Sequence, residues 1–467
     1  MTISLQAVSW ASEDISDEFN INIFGRTMDH ESVCLRTKFS PYLFVEIPQN
    51  WNNQSAGLLI SALKRRLRDD LGDHISKWSI VKRKKLYGFT NHEQFKFLRI
   101  IFVSKAAWKQ AGYIFKKPLK VGAVEKTFKL FESNIDPMLR FCHVQDIPPA
   151  GHLKVSKYKE PYIRISNCDL EIEANWSDIE NDAKDTIAPF VQASFDIETY
   201  SPDGSFPDPK CYDCPVIQIA VTYQVYGEES MTRELYSLGS CDPIDGVDIF
   251  EFEQESDLIN AFAESINKHQ VDILIGYNIW KFDLWYLWTR ADMMNADKFF
   301  SMGRLLEYES VIRDAKFSSS AYGDNFYKMV DTPGIFQLDL LITMQREHKL
   351  TSYSLNSVSG HFLGDKKLDM PYKEMFIKFT KGSAERAEIG AYCVKDTELP
   401  QLLVNKLAIV PNMVEMAKAT WVPLSFLLER GQQIKVFSQL LYTTRQEDML
   451  VETLEKGMSE QEYEGAT

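Results

Sequence analysis

Val191-Gln192-Ala193-Ser194-Phe195-Asp196-Ile197-Glu198-Thr199-Tyr200 alternates between apolar and polar residues. Val191, Ala193, Phe195 and Ile197 share one face, the period-two mark of a half-buried strand. Gln192, Ser194, Asp196 and Glu198 share the other, so Asp196 and Glu198 project side by side from a stiff backbone. Two carboxylates held that close repel each other unless a cation lies between them. Oxygen ligands at this spacing suit Mg²⁺ or Mn²⁺. A solvated strand face bearing two acids is the plainer reading of this stretch alone, and the surrounding chain has to decide between the two.

Downstream the pattern is rich in strands and then alternates. Val216–Val225 and Thr232–Leu238 read as strands, Phe252–His269 as a helix, and Val271–Ile275 as a buried strand. Phe282–Met293 is helical, residues 300–333 read as a loop and hairpin, and Ile335–Leu338 is strand-like. Asp339 is placed to cap the next helix, and a last long helix is expected from Ala384 to Val410. The resulting expectation is an α/β fold, a mixed sheet with helices on both faces. Residues 1 to about 180 read as α+β. They carry strand-like runs at Ile21–Phe24, Tyr42–Ile47 and Phe97–Val103, and helical runs at Ala56–Leu71 and Lys105–Phe115. Trp176–Asp185, acidic and poor in large apolar residues, reads as a linker.

Three carboxylate-bearing stretches follow the opening strand. Gly276-Tyr277-Asn278-Ile279-Trp280-Lys281-Phe282-Asp283 sits where a buried strand hands over to a helix, the place where α/β sheets put their chemistry. Asn278 as an N-cap and Asp283 as a first-turn acid also account for it. Tyr392-Cys393-Val394-Lys395-Asp396 lies in the last long helix, where residues four apart share a face. An exposed helical face is the alternative. The third is Asp339, for which capping is the expected role. Together, two acids on a strand, one at a strand exit and one on a late helix match a site for two cations about 3.5–4 Å apart. Tyr392 can orient a water there by a hydrogen bond.

The totals set limits. At 467 residues, 45% hydrophobic and 25% charged, the chain has material for two or three domains. No run approaches a membrane span and no secretory layout opens the chain. The seven scattered cysteines point to a reducing, intracellular compartment. Cys211 and Cys214 form a lone CxxC without the two further ligands that zinc requires. The net charge of −14 is unevenly spread: residues 60–120 hold sixteen Lys/Arg against four Asp/Glu, or +12, leaving −26 elsewhere. Lys64-Arg65-Arg66, Lys82-Arg83-Lys84-Lys85 and Lys116-Lys117 are interleaved with Trp78, Tyr87, Phe89, Phe95 and Phe97. That mixture suits phosphate contact with base stacking, or else a solvated basic face.

Phe-Asp-Ile-Glu-Thr at 195–199, Tyr-Asn-x-x-x-Phe-Asp at 277–283 and Tyr-x-x-x-Asp at 392–396, in this order, resemble the three exonuclease motifs of family B DNA polymerases. Glu132-Ser133-Asn134-Ile135-Asp136, Val422-Pro423-Leu424-Ser425 and the run from Arg430 to Gln439 extend the resemblance to nearly the whole chain, with a delta-like flavour of eukaryotes or large DNA viruses. It implies an N-terminal α+β domain with a basic DNA-facing lobe (1–188), a ribonuclease-H-like 3′→5′ exonuclease domain (189–408), and a segment that returns to the N-terminal domain and begins the palm (409–467). It implies two Mg²⁺ (or Mn²⁺): Asp196 would bridge both, Glu198 and Asp396 would hold the first, and Asp283 would support the second. Tyr392 would position the attacking water. Asn278 and Phe282 would line the path of the 3′ end and Thr199 would lie beside the terminal nucleotide, with Lys82, Arg83, Lys84 and Lys85 against DNA. The implied partners are a single-stranded 3′ end, a primer–template and a palm and thumb supplied outside this chain. No membrane is implied, and the place of work would be the nucleus or a viral replication site. The palm signatures Asp-x-x-Ser-Leu-Tyr-Pro and Asp-Thr-Asp are missing. Tyr322-Gly323-Asp324-Asn325 imitates the second without its paired aspartate. The expectation is therefore a polymerase portion that proofreads and cannot add nucleotides. The alternative is a non-catalytic DNA-binding scaffold, half of a split polymerase, and an RNA-trimming exonuclease is a further rival.

Overall fold

The computed structural model describes residues 2–88, 90–319, 323–365 and 370–454; Phe89 and Tyr322, singled out above, and the end of the segment expected over 409–467 lie outside the described residues. Among the described residues, apolar runs of period two build three sheets of five or six strands, beside two two-stranded hairpins. The first, of six strands, runs in the order Leu170–Glu173, Ser32–Lys38, Glu18–Arg26, Ile3–Ile15, His152–Val155, Ile179–Asn181. The second, of five strands, is ordered Met449–Leu450, Ile75–Lys85, Phe95–Phe102, Tyr42–Glu46, Leu130–Phe131. Helices Asn53–Lys64 and Lys105–Ile114 bury Leu59, Leu63 and Trp108 on it.

Two expectations change here. The linker at 176–185 contains an edge strand, because Ile179, fully buried, pairs opposite Val155. The helix expected over Ala56–Leu71 stops at Lys64, where the run of cations suits its carbonyl end.

The third sheet carries the acids. Its strands are β1 (Val191–Thr199), β2 (Val216–Val225), β3 (Met231–Leu238), β4 (Asp248–Phe252), β5 (Ile273–Gly276) and β8 (Phe336–Asp339), in the order β4-β3-β2-β1-β5-β8. The hairpin β6 (Ile312–Ser319) and β7 (Gly323–Val330) lies between β5 and β8 in the chain. β1 is antiparallel to β2 and parallel to β5, so the sheet is mixed.

One face packs on α1 (Glu255–Lys268), with the Phe195 and Phe262 rings 5.4 Å apart. The polar face, expected to meet solvent, is buried as well. Gln192 and Ser194 are 0% exposed because the 24-residue helix α6 (Ser383–Lys406) lies across them. Thr222 and Thr397 hydroxyls meet at 2.7 Å, and Gln401 donates to Gln192 and Gln224 at 3.2 and 2.8 Å. Between β5 and α6 the chain forms α2 (Asp283–Met294), α3 (Leu340–Glu347), α4 (Leu355–Phe362) and α5 (Tyr372–Phe379). After α6, Ala408 takes a left-handed conformation and splits the expected single helix, so that α7 (Ile409–Thr420) turns away. Two more helices follow, α8 (Leu424–Glu429) and α9 (Gln433–Gln446).

The parts are tied together through buried charge. Asp272, 1% exposed at the entry to β5, pairs with Arg26 of the first sheet and with Arg304 at 2.9 Å, and accepts the Val191 N–H at 2.9 Å. Met449–Leu450 runs parallel to Lys84–Lys85, and Ser133 N–H donates to the Thr453 hydroxyl at 3.0 Å. The chain after α9 thus closes on its own first part.

Candidate active site

The site is assembled where β1 and β5 end. Asp196 and Glu198 leave β1 on one face, beside a register break between Glu198 and Thr199. α6 brings Cys393 to the same point. The ligand oxygens of Asp196 and Glu198 and the Cys393 sulfur all lie within 4.8 Å of one another, the single such grouping among the described residues. Asp396 sits three residues on, on the same helical face, 7% exposed. Tyr392 lies one turn before Asp396 and packs beside Ile217, Met375 and Ile389.

The β5 exit delivers the fourth acid. A side chain at Gly276 would press within 2.2 Å of the Ile279 side chain and 3.1 Å of the Phe195 carbonyl, so the turn demands glycine. Asn278 follows at φ 73°. Asp339 holds this turn, accepting N–H bonds from Asn278 at 3.0 Å and Trp280 at 3.2 Å. It also caps α3 by accepting from Leu341 at 3.1 Å, the role expected of it. Phe282, and not Asn278, stands at the N-cap position of α2, where it makes no side-chain capping bond, and Asp283 begins the helix, 3% exposed. The Asp283 carboxylate faces the Ile197 backbone, between the two β1 acids.

Electrostatics tie the four acids together. Burial, with the charges of Asp339 and Asp396 added, pushes the Asp283 carboxyl up to about 7. Burial pushes Asp339 up to about 6 although backbone N–H groups pull it down. Burial and the charges of Glu198, Asp196 and Asp396 drive the Cys393 thiol well above its usual range. Two half-buried carboxylates crowded against two buried ones favour a divalent cation among them, so the donor set fits the hard-cation site expected of it.

The remaining candidates are dispersed. Thr199 is buried at the end of β1. The Phe282 ring stands 5.5 Å from that of Phe206, which is 77% exposed. The basic tract Lys82–Lys85 lies at the end of the strand Ile75–Lys85, in the other lobe. Lys82 is exposed, Arg83 pairs with Asp448 at 3.4 Å, and Lys85 pairs with Glu46 at 2.6 Å over the Phe95 ring. Of the interleaved aromatics, Phe97 is in the core and Tyr87 is exposed. Cys393 and the Asp339 clamp were not singled out for the site. The spacing of three between Cys393 and Asp396 was the available signal. No helix among the described residues is long and apolar enough to cross a membrane.

Comparison with known proteins agrees with the geometry. Residues 128–358 match the exonuclease domain of DNA polymerase family B, and residues 38–109 the N-terminal domain of DNA polymerase delta catalytic subunit-like proteins. The first match ends before α6. The DNA polymerase of Paramecium bursaria Chlorella virus NY2A is 34% identical over 98% of this chain and 50% of its own length. The DNA polymerase delta catalytic subunit of Oryza sativa subsp. japonica is 36% identical over 96% of this chain and 42% of its own, and that of Schizosaccharomyces pombe 34% over 99% and 45%. The chain thus spans about half the length of these relatives. The family B DNA polymerase of the hyperthermophilic archaeon Pyrobaculum calidifontis shares the fold, with a TM-score of 0.70 at 17% identity, covering 97% of this chain and 52% of that one. The mixed sheet carrying the acids is accordingly ribonuclease-H-like. This chain carries the exonuclease domain of DNA polymerase family B together with an N-terminal domain of the delta catalytic-subunit type.

Proposed function

We propose that this chain is the N-terminal part of a replicative DNA polymerase and removes nucleotides from DNA 3′ ends with two Mg²⁺ (or Mn²⁺) ions. The observation that carries the reading is the meeting of Asp196 and Glu198 with Cys393 of α6, their ligand atoms within 4.8 Å of one another, one turn from the buried Asp396. Asp196 would hold both cations, Glu198 and Asp396 the first, and Asp283 the second. Bound as a pair, such cations acidify water and neutralise the charge that develops on a phosphodiester. Tyr392 orients the attacking water through its hydroxyl, Asn278 and Phe282 line the approach of the 3′ end, and Thr199 lies beside the terminal nucleotide. Asp339 positions this apparatus by holding the Asn278–Trp280 turn.

Around the nuclease, residues 189–408, we place an N-terminal domain over 1–188 and a returning segment over 409–467. Lys82 and the neighbouring cations would follow the DNA backbone. A palm and thumb outside this chain would supply nucleotide addition, in the nucleus or at a viral replication site. An intact set of acids speaks against the non-catalytic scaffold.

Asp196→Ala with Glu198→Ala should abolish Mg²⁺-dependent nucleotide release from a single-stranded DNA 3′ end while leaving salt-sensitive DNA binding in place. Release that persists in the double variant overturns the assignment.

A further inference from the structure

The loop between β1 and β2 is held from beneath by α2. Arg290, fully buried, grips Glu255 through two bonds of 2.8 and 2.5 Å and donates to the carbonyls of Cys211 at 2.6 Å and Tyr212 at 3.2 Å. The Tyr286 hydroxyl donates to the Cys214 carbonyl at 2.8 Å. Two turns in succession result: Cys211 N–H reaches the Asp208 carbonyl at 2.9 Å and Cys214 N–H the Cys211 carbonyl at 3.1 Å. A turn closed from i to i+3 brings its outer α-carbons within about 7 Å, close to the roughly 4.4–6.8 Å that a disulfide spans. The two thiols lie close enough to influence each other's ionisation, and the Asp208 backbone and Ser201 side chain also face the Cys214 thiol. Cys211 is exposed and Cys214 is 4% exposed. The other five cysteines, including the neighbouring Cys34 and Cys168, are buried.

We propose that Cys211 and Cys214 form a redox-reactive dithiol that a small-molecule disulfide oxidises to an intrachain disulfide. The Cys211 thiolate attacks one sulfur of R–S–S–R. A bond to Cys211 forms, the R–S–S–R bond breaks, and the departing thiolate takes up the proton Cys211 gave up. Cys214 then yields its own proton, attacks the Cys211 sulfur and expels the second R–SH. The cysteines lose two electrons and two protons, and the small disulfide leaves as two thiols. Because Arg290 and Tyr286 hold the two carbonyls from below, closure needs no movement of α2.

The test is incubation of the full chain with glutathione disulfide, alkylation of remaining thiols and peptide mapping by mass spectrometry. The loop peptide of the native sequence should become lighter by two hydrogens, with Cys211 joined to Cys214. Cys214→Ser should instead stop at a lasting glutathione adduct on Cys211, and Cys211→Ser should leave the loop unmodified. A lasting adduct on the native sequence, a disulfide formed elsewhere, or a Cys211 unreactive in both the native and Cys214→Ser chains overturns the proposal. The readout is mass alone, so its outcome is independent of the nuclease reading.

Discussion

Asp283 opposes folding when no cation neutralises it. Its carboxyl lies at about 7 in the folded chain against a usual 3.8, so the fold favours a proton that the unfolded chain has already released. That contribution is full below about pH 4 and is lost as pH rises through about 7. At pH 8 in a chelator, Asp283→Asn should therefore raise the melting temperature by at least about 2 °C, and with Mg²⁺ added it should lack nucleotide release. A lower melting temperature would mean the buried charge is already compensated within the chain. Residue by residue, the sequence was legible where local geometry decides. Alternation put Asp196 and Glu198 on one side, and a capping pattern found Asp339. It hid what depends on distant partners. Gln192 and Ser194 looked solvent-facing because the helix that buries them begins almost two hundred residues later. Asp339 looked like a cap alone because the turn it grips lies on another strand.

Among the elements, α6 matters most to the site, since it presents Tyr392, Cys393 and Asp396 from one rigid rod over β1 and β2. Its register is fixed by the Thr222–Thr397 contact and by Gln401. Its end was misplaced from sequence: the helix was expected to reach Val410, yet Ala408 adopts φ 51° and ends it. Glycine ordinarily marks such a position, and alanine gave no cue. Ala408→Gly should stabilise the chain by about 0.5–1 kcal/mol in denaturant titration, because glycine takes this conformation without steric cost. Destabilisation would show that the alanine methyl is worth more in packing than the backbone loses. The edge strand over 179–181 was hidden for a related reason. Three residues are too few for alternation to register, and only pairing with His152–Val155 reveals them.

For the whole molecule, the charge asymmetry pointed to a lobed protein, but which surfaces are covered was not legible. Part of the basic tract is engaged by the returning chain, through Asp448 and the strand Met449–Leu450. The returning helix α9 is also held by His143, buried, whose Nε2 meets the Ser438 hydroxyl at 2.9 Å. Burial and the nearby Arg140 and Arg445 push this imidazole down to about 3. A depressed folded value means stability that is whole above about pH 6.5 and falls away as pH drops towards 3. Between pH 6.5 and 5 this single group should remove about 2 kcal/mol. His143→Gln should flatten that part of the stability–pH curve, measured by denaturant melts, and an equally steep curve in the variant would assign the slope elsewhere.

Arg26, on the first sheet, reaches Asp272 just as β5 begins, and the same carboxylate holds the first amide of β1. The foundation of the strand that carries Asp196 and Glu198 is thus partly laid by residues that precede it by well over a hundred positions. A nuclease segment cut free by a protease would keep Arg304 at this carboxylate and forfeit Arg26. On the proposed nuclease reading, heritable change at Arg26, remote from the candidate acids, would accordingly be filtered by how faithfully mismatched ends are trimmed.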